Sequence, residues 1–226
     1  MKKDISAWNF YQEGTDEQFA TKEITLGPWS SYSLMNDPKH LAFVLSRYKF
    51  CAKMLEGMDT VVEIGCGDGV GLPIIAQVVN RVYCLDWDER NLEGCSKRLK
   101  HLKNVVYEKV DLNEKSLAIK ADAAFSIDVI EHLEPVKEAN FMKNVCKTLK
   151  QESVLITGTP NKTAAEYATE RSEIQHINLK THAELKNMTR QYFKHVFMFG
   201  MNDEVLHTGY GAMCHYLWSL GAGKIA

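Results

Sequence analysis

The sequence lacks any long apolar run, any surplus of positive charge and any paired-cysteine motif, and each absence removes a class of function. Apolar stretches such as Val78-Val79 and Leu155-Ile156 are short and lie among polar residues, far below the roughly 18 consecutive apolar residues that span a bilayer. No membrane partner is expected. Lys and Arg number 27 against 29 Asp and Glu, a net charge of −2, so the basic excess that would neutralise many phosphates is missing. Nucleic acid is therefore not expected as a partner, whereas a homo-oligomer stays open. Cys51, Cys66, Cys84, Cys95, Cys146 and Cys214 are scattered without C-x-x-C spacing, which fits neither a zinc site nor a disulfide framework and points to a reducing cytoplasm. The start, Met1-Lys2-Lys3-Asp4-Ile5, is followed by Trp8-Asn9-Phe10-Tyr11 rather than by an apolar segment, so no secretory signal is read there.

What remains is an ordinary globular composition. The chain has 226 residues, 45% of them apolar and 25% charged, which favours one α/β domain with additions. Residues 1–36 are aromatic and polar without sustained periodicity, and Gly27-Pro28-Trp29-Ser30-Ser31 reads as a loop. This arm offers Tyr11, Trp29, Tyr32 and Met35 as contacts for a lid over a binding site. Asp37 and Pro38 then open a helix that carries Leu41, Val44, Leu45, Tyr48, Cys51 and Leu55 at helical spacing and ends by Gly57. Residues 37–226 read as a single domain.

From Thr60 short β-branched runs alternate with longer helical patterns, the signature of a mostly parallel sheet. Strands are expected at 61–64, 81–86, 105–110, 123–129 and 153–157, with helices at 72–79, 89–102 and 135–149. Beyond Pro160, residues 164–171 and 182–192 look helical, while 196–199 and 212–218 look like an antiparallel pair at one edge.

The most specific segment is Glu63-Ile64-Gly65-Cys66-Gly67-Asp68-Gly69, a glycine-rich turn between the first strand and a helix. Glycines there allow a tight turn and close approach of backbone to a ligand. A dinucleotide fingerprint wants G-x-G-x-x-G/A, but Val70 occupies the sixth position, and no Gly-Lys-Ser/Thr follows for a phosphate loop. The pattern E-x-G-x-G-x-G instead resembles the first motif of the class I S-adenosylmethionine-dependent methyltransferases. Leu85-Asp86-Trp87 closes the second strand with Asp86 21 residues after Gly65, near the spacing at which an acidic residue meets a ribose diol. Val110-Asp111-Leu112 follows the third strand, and Ser126-Ile127-Asp128-Val129-Ile130-Glu131-His132 closes the fourth. That last segment resembles the ubiquinone-type and small-molecule O-methyltransferase subset. Any one of these pieces alone would merely turn the chain or cap a helix. In this order they span about residues 60 to 160.

The resemblance implies a doubly wound, mostly parallel, seven-stranded Rossmann-like sheet with an antiparallel edge strand near 212–218. It implies S-adenosylmethionine as cofactor and S-adenosylhomocysteine as product. Gly65, Cys66 and Gly67 would lie along the methionine portion, with Glu63 supporting its amino group. Asp86 would hold the ribose hydroxyls, Trp87 the adenine face, and Asp111 with Leu112 the adenine edge, while Asp128 would border the site.

The acceptor decides the remaining chemistry. An amine or thiolate needs little help, but an alcohol must lose its proton during attack, which calls for a base or a metal. DNA and protein amino-methylating relatives often carry Asp/Asn-Pro-Pro-Tyr/Phe where this chain has Asp128-Val129-Ile130-Glu131, which argues against amino-base methylation; the preferred acceptor is a hydroxyl of a small molecule, such as a sugar or polysaccharide precursor. His132 and His176 are the candidate catalytic residues, with simple packing over the cofactor as the alternative for His132. Arg47 offers a partner for an acidic group. Asp203, Glu204 and His207 match no metal-ligand spacing, so no metal is expected. Small-molecule N-methylation and a non-catalytic, cofactor-binding scaffold remain the alternatives.

Overall fold

The computed structural model describes residues 23–225. One eight-stranded sheet is flanked by helices on both faces. In chain order the elements are α1 (Pro28–Asn36), α2 (Pro38–Leu55), β1 (Thr60–Ile64), α3 (Leu72–Ala76), β2 (Arg81–Asp86), α4 (Glu89–Arg98), β3 (Val105–Lys109), β4 (Ala121–Ile127), α5 (Glu138–Thr148), β5 (Leu149–Pro160), α6 (Glu170–Gln175), α7 (His182–Arg190), β6 (Phe193–Asn202), β7 (Val205–His207) and β8 (Tyr216–Lys224). The strand order is β3-β2-β1-β4-β5-β8-β6-β7.

The first five strands pair in parallel, and alternation along each buries both faces. Val61 with Ala123 and Phe125 packs towards α2, α3 and α4, where Tyr48, Leu55, Leu72, Ile75 and Leu92 meet them. Val62, Ile64 and Ala124 point the other way, to Phe141, Met142, Leu185 and Met188 of α5 and α7. Strands covered on both sides therefore read as nearly continuous apolar runs. No helix among the described residues is long and apolar enough to cross a membrane.

Three expectations need correction. The strand count is eight rather than seven, because β7 adds a three-residue strand antiparallel to β6. β8 lies inside the sheet between β5 and β6, antiparallel to both, so the antiparallel edge is β7 and the strand expected at 212–218 starts later. The segment 27–31, expected as a loop, begins α1: Gly27 is the N-cap and Pro28 takes the first turn, where its missing N–H is not needed. Helix α2 starts as expected, with the Asp37 side chain accepting from His40 N.

The order of strands places the change of direction between β1 and β4. Chain leaving the carboxyl end of β1 goes one way through β2 and β3, and chain leaving β4 goes the other, which opens a crevice between the two exits. The glycine loop and the segment from Asp128 to His132 are these two exits.

Candidate functional site

The glycine loop is held by backbone, with side chains only bracing it from behind. Gly65 N and Cys66 N both donate to the Leu85 carbonyl, at 2.9 and 3.0 Å. Gly65 and Gly67 have φ of 73° and 53°, a region that residues with a Cβ enter at a cost. A Cβ at Gly65 would also lie 2.6 Å from Val129 Cγ2, whereas a Cβ at Gly67 would meet nothing within 4 Å. Open space beside a bare backbone turn is what a closely approaching ligand requires. Cys66 and Cys95 are buried behind the loop, and the Cys95 thiol points to the Gly67 carbonyl at 3.4 Å.

Two carboxylates flank the loop, and Asp86 bonds to it. Asp86 accepts from Gly67 N at 3.1 Å, Asp88 N at 2.8 Å and Asn91 Nδ2 at 3.2 Å. Burial pushes its carboxyl up and these bonds pull it back; an ionised carboxylate has about four lone-pair sites, so one further donor can be served. Glu63 is 1% exposed. Its Oε1 accepts from the Tyr48 hydroxyl at 2.7 Å, its Oε2 has no partner, and burial pushes its pKa up to about 8. An orphaned carboxylate oxygen behind a ligand loop suits a cationic amino group.

The other exit is more polar. Asp128 has φ of 56°, the left-handed region that non-glycine residues occupy mainly where the surroundings force it. Its Oδ2 is 2.6 Å from Arg47 Nη1, and the guanidinium lies 3.9 Å from the centre of the Tyr216 ring. Burial opposes the charge on Arg47, and Asp128, Tyr216 and Glu131 together more than restore it. The chain next turns through Ile130–His132. There Glu131 is fully buried, with Oε2 accepting from Thr159 Oγ1 at 3.0 Å and Oε1 unpartnered. Burial, then the nearby Asp128, pushes its carboxyl well above the usual carboxylate range.

The structure brings His132 and His176 together. Their ring centroids are 5.1 Å apart, edge to face. The contact is built by Asn178, whose backbone N–H donates to the Glu131 carbonyl at 2.9 Å and whose side chain donates to Ile130 and Glu138. His132 Nδ1 lies 3.1 Å from the Gln175 carbonyl; a carbonyl only accepts, so Nδ1 donates, and in the neutral ring Nε2 is the acceptor. Burial and the neighbouring His132 lower the pKa of His176.

A cavity of about 1210 Å³ joins both exits. Gly65, Cys66, Gly67, Asp128, His132 and His176 all line it. Its outer wall comes from α1 and the first half of α2 as far as Arg47 and Tyr48, and includes Trp29 and Tyr32. Ser30 holds that wall in place: its N–H and hydroxyl bond the Asp68 carboxylate of the glycine loop at 2.7 to 2.9 Å. Met35 is 82% exposed, and Tyr11 falls outside the described residues. Trp87 is exposed, Leu112 is buried, and Asp111 is half-buried with Oδ1 accepting from Asn113 N at 2.8 Å. The pairing of Ser30 with Asp68 leaves no trace in the sequence, where the two are 38 residues apart. Glu131 was readable only as part of the motif that ends β4.

The chain resembles known proteins in sequence and in fold. Residues 62–155 match a family profile described as a methyltransferase domain. The chain is similar to a protein of Mycolicibacterium smegmatis described as a probable S-adenosylmethionine-dependent methyltransferase, 32% identical over 121 residues that make up 51% of this chain and 43% of that one. A Mycobacterium tuberculosis protein of the same description is 30% identical over 108 residues, 45% of this chain and 36% of its own. The chain thus spans less than half the length of the curated relatives it matches. Among solved structures, the N-methyltransferase NodS from Bradyrhizobium japonicum in complex with S-adenosyl-l-homocysteine superposes with a TM-score of 0.63 at 17% identity, over 85% of this chain and 91% of that one. The methyltransferase domain of bacterial CtHen1 superposes at 0.67 and 20% identity, over 81% of this chain and 100% of that one. At such identities the likeness is one of fold.

Proposed function

We propose that this chain is a class I S-adenosylmethionine-dependent methyltransferase and that it transfers a methyl group from S-adenosylmethionine to a hydroxyl of a small molecule. When bound, the cofactor supplies a sulfonium methyl group that is open to in-line displacement. Gly65, Cys66 and Gly67 offer it a backbone surface with open space beside Gly67. The unpartnered Oε2 of Glu63 and the remaining capacity of Asp86 offer acceptors for an amino group and a ribose hydroxyl. Trp87, Asp111 and Leu112 follow the ends of β2 and β3, the side of an open α/β sheet on which a base would lie.

The observation that carries the hydroxyl reading is the meeting of His132 and His176 on the cavity that the glycine loop also lines. An amine that has first lost its ammonium proton to solvent attacks through a free lone pair and needs no such pair in the transfer step itself. An alcohol acquires its nucleophilic character only as its proton leaves. In the transfer the acceptor oxygen forms a bond to the methyl carbon, the carbon–sulfur bond breaks, S-adenosylhomocysteine departs and one proton is released. His132 and His176 assist that release. Helix α1, fixed to the loop through Ser30 and Asp68, serves as part of a lid contributed by the arm, and residues 37–226 form the methyltransferase domain.

Calorimetric titration with S-adenosylmethionine, S-adenosylhomocysteine and NAD, followed by a mass-spectrometric screen of hydroxyl and amine acceptors, tests this. Binding of the two adenosyl ligands but not NAD, with mass gain on hydroxyl acceptors alone, is the expected result. Methylation confined to amines would overturn the hydroxyl assignment, and NAD binding would overturn the class.

A further inference from the structure

The cavity holds more than the cofactor reading uses. At about 1210 Å³ it exceeds the roughly 300–1,000 Å³ of a pocket for one small ligand, and the lining supplied by α1 and by the segment after β5 has a chemistry of its own. We propose that this part of the cavity binds an uncharged saccharide, carrying neither phosphate nor nucleotide, as the methyl acceptor.

Three aromatic side chains line it: Trp29 and Tyr32 from α1, and Tyr167 from the turn Lys162–Tyr167. Each keeps more than half of its surface exposed, so these rings are not consumed by the core. The one residue that α1 buries is Ser30, which ties the helix to Asp68. Flat ring faces suit the C–H face of a pyranose, whose weakly positive hydrogens meet the negative face of the π-system. The polar groups beside them are hydroxyls and amides, with Ser33 and Asn36 on α1 and Thr169, Ser172 and Gln175 in or next to α6. Such groups both donate and accept, and each sugar hydroxyl needs a partner of both kinds once it leaves water.

Charge decides what the sugar must not carry. Among the described residues no lysine lines the cavity, and its one arginine, Arg47, is held at 2.6 Å by Asp128. Asp37 and Asp68 add carboxylates. An adjoining cavity of about 360 Å³, which shares Ser172 and His176, adds Glu166 and Glu173 and no cation. Phosphate groups are met by arginine, lysine or open backbone N–H groups, and here the Gly65, Cys66 and Gly67 amides are taken by Leu85 and Asp86. A phosphorylated or nucleotide-linked sugar would therefore face carboxylates without a compensating cation. The three carboxylates of the large cavity are themselves engaged, Asp37 at the start of α2, Asp68 by Ser30 and Asp128 by Arg47, so an amino sugar gains little over its neutral counterpart.

This assignment rests on the hydroxyl reading above. One ring hydroxyl is presented to His132 and His176, which line the same cavity. Its oxygen bonds to the methyl carbon as the carbon–sulfur bond breaks, S-adenosylhomocysteine departs, and its proton passes by way of the pair to water.

The experiment is saturation-transfer NMR on the full chain in the presence of S-adenosylhomocysteine, whose own binding is followed by calorimetry. The probes are glucose, galactose, mannose, rhamnose, xylose and arabinose as methyl glycosides, with the sugar phosphates, nucleoside diphosphate sugars and amino sugars of the same series as competitors. Binding of at least one neutral glycoside is expected, with its phosphorylated and nucleotide-linked forms at least tenfold weaker. Tyr167→Ala should weaken that binding more than fivefold and Tyr167→Phe less than twofold, while S-adenosylhomocysteine affinity stays within twofold in both and certifies the fold. A chain that binds S-adenosylhomocysteine but no neutral glycoside overturns the saccharide site and leaves methyl transfer standing. Tighter binding of the phosphorylated, nucleotide-linked or amino forms overturns it too, as does glycoside binding unchanged in Tyr167→Ala, since the sugar then sits elsewhere. Glycoside binding that is lost in Tyr167→Ala, by a chain that never binds an adenosyl ligand, supports the site and overturns the methyltransferase reading.

Discussion

The glycine loop and the histidine pair line one cavity, yet they are held by different means. The loop follows β1 directly, and its amides bond to Leu85 and Asp86 on the adjacent strand β2, in register with Ile64. It rests on buried Cys66, Cys84 and Cys95. The pair is assembled from two connections: His132 is exposed and His176 half-buried, and they meet because Asn178 and Gln175 reach back to the turn after β4. One half of the site is therefore part of the core, where a change in side chain disturbs folding and binding together. The other is mounted on the core, where a side chain can be removed with little effect on stability. Each half can be broken separately, and the consequences should differ in kind.

The largest effect is expected from His176→Ala. If the pair serves the acceptor, kcat for a hydroxyl substrate should fall on the order of 10² to 10⁴ fold, with S-adenosylmethionine affinity and melting temperature nearly unchanged. A parallel loss of cofactor affinity would mean that the two halves are not separable. Gly65→Ala should show the reverse. The left-handed φ and the 2.6 Å approach to Val129 together should cost roughly 2 kcal/mol of stability and weaken cofactor binding at least tenfold by calorimetry. Adding Val129→Ala should relieve the steric part and leave the backbone part, a coupling that a double-mutant cycle reads directly.

The same contrast explains what the sequence disclosed. Parallel strands buried on both faces declare themselves as β-branched runs, so β1 to β5 and the acidic residue 21 positions after Gly65 could be found by pattern alone. Helix α1 could not, because Ser30 is its only buried residue and periodicity needs an apolar stripe. The position of β8 inside the sheet depends on long-range pairing with β5 and β6, which no local signal carries, and β7 is too short to register. His132 and His176 were each legible as candidates, but their contact depends on Asn178, an ordinary loop residue until the fold is known. Attention to neighbours in sequence also led to Asp203, Glu204 and His207 as the trial metal set, while the described side chains whose potential ligand atoms converge are Glu131, His132 and His176.

A smaller effect should separate Glu63 from the loop that follows it. Its carboxyl is pushed up to about 8 by burial, with Asp86 adding to the shift and the Tyr48 hydroxyl bond opposing it. The unfolded chain titrates near the ordinary glutamate value of 4.5, so the folded state binds the extra proton between these values. The stability this provides is complete below pH 4.5 and is lost as pH rises through about 8. Glu63→Gln keeps an acceptor for Tyr48 and stays neutral. It should therefore gain relative to the parent by about 2 kcal/mol between pH 5 and pH 9, discounted from the full linkage value because a buried site relaxes. Urea denaturation at the two pH values measures this, and equal pH slopes for parent and variant would show that Glu63 is ionised in the folded chain. The same variant should bind S-adenosylmethionine more weakly, because the Glu63 carboxyl can give up its proton when an ammonium group arrives and an amide cannot.

The smallest effect should come from the contact that ties arm to core. Ser30→Ala removes the hydroxyl bonds to Asp68 but keeps the bond from the backbone N–H, so the loss of stability should be about 1 kcal/mol. Its consequence for the cavity should be kinetic. With α1 less firmly fixed to the glycine loop, S-adenosylmethionine should dissociate a few fold faster while its association rate changes little, since closing a lid retards escape more than entry. Stopped-flow displacement by S-adenosylhomocysteine separates the two rates. An unchanged dissociation rate would show that α1 belongs with the rigid half of the site as a wall, and that any lid must come from elsewhere in the chain.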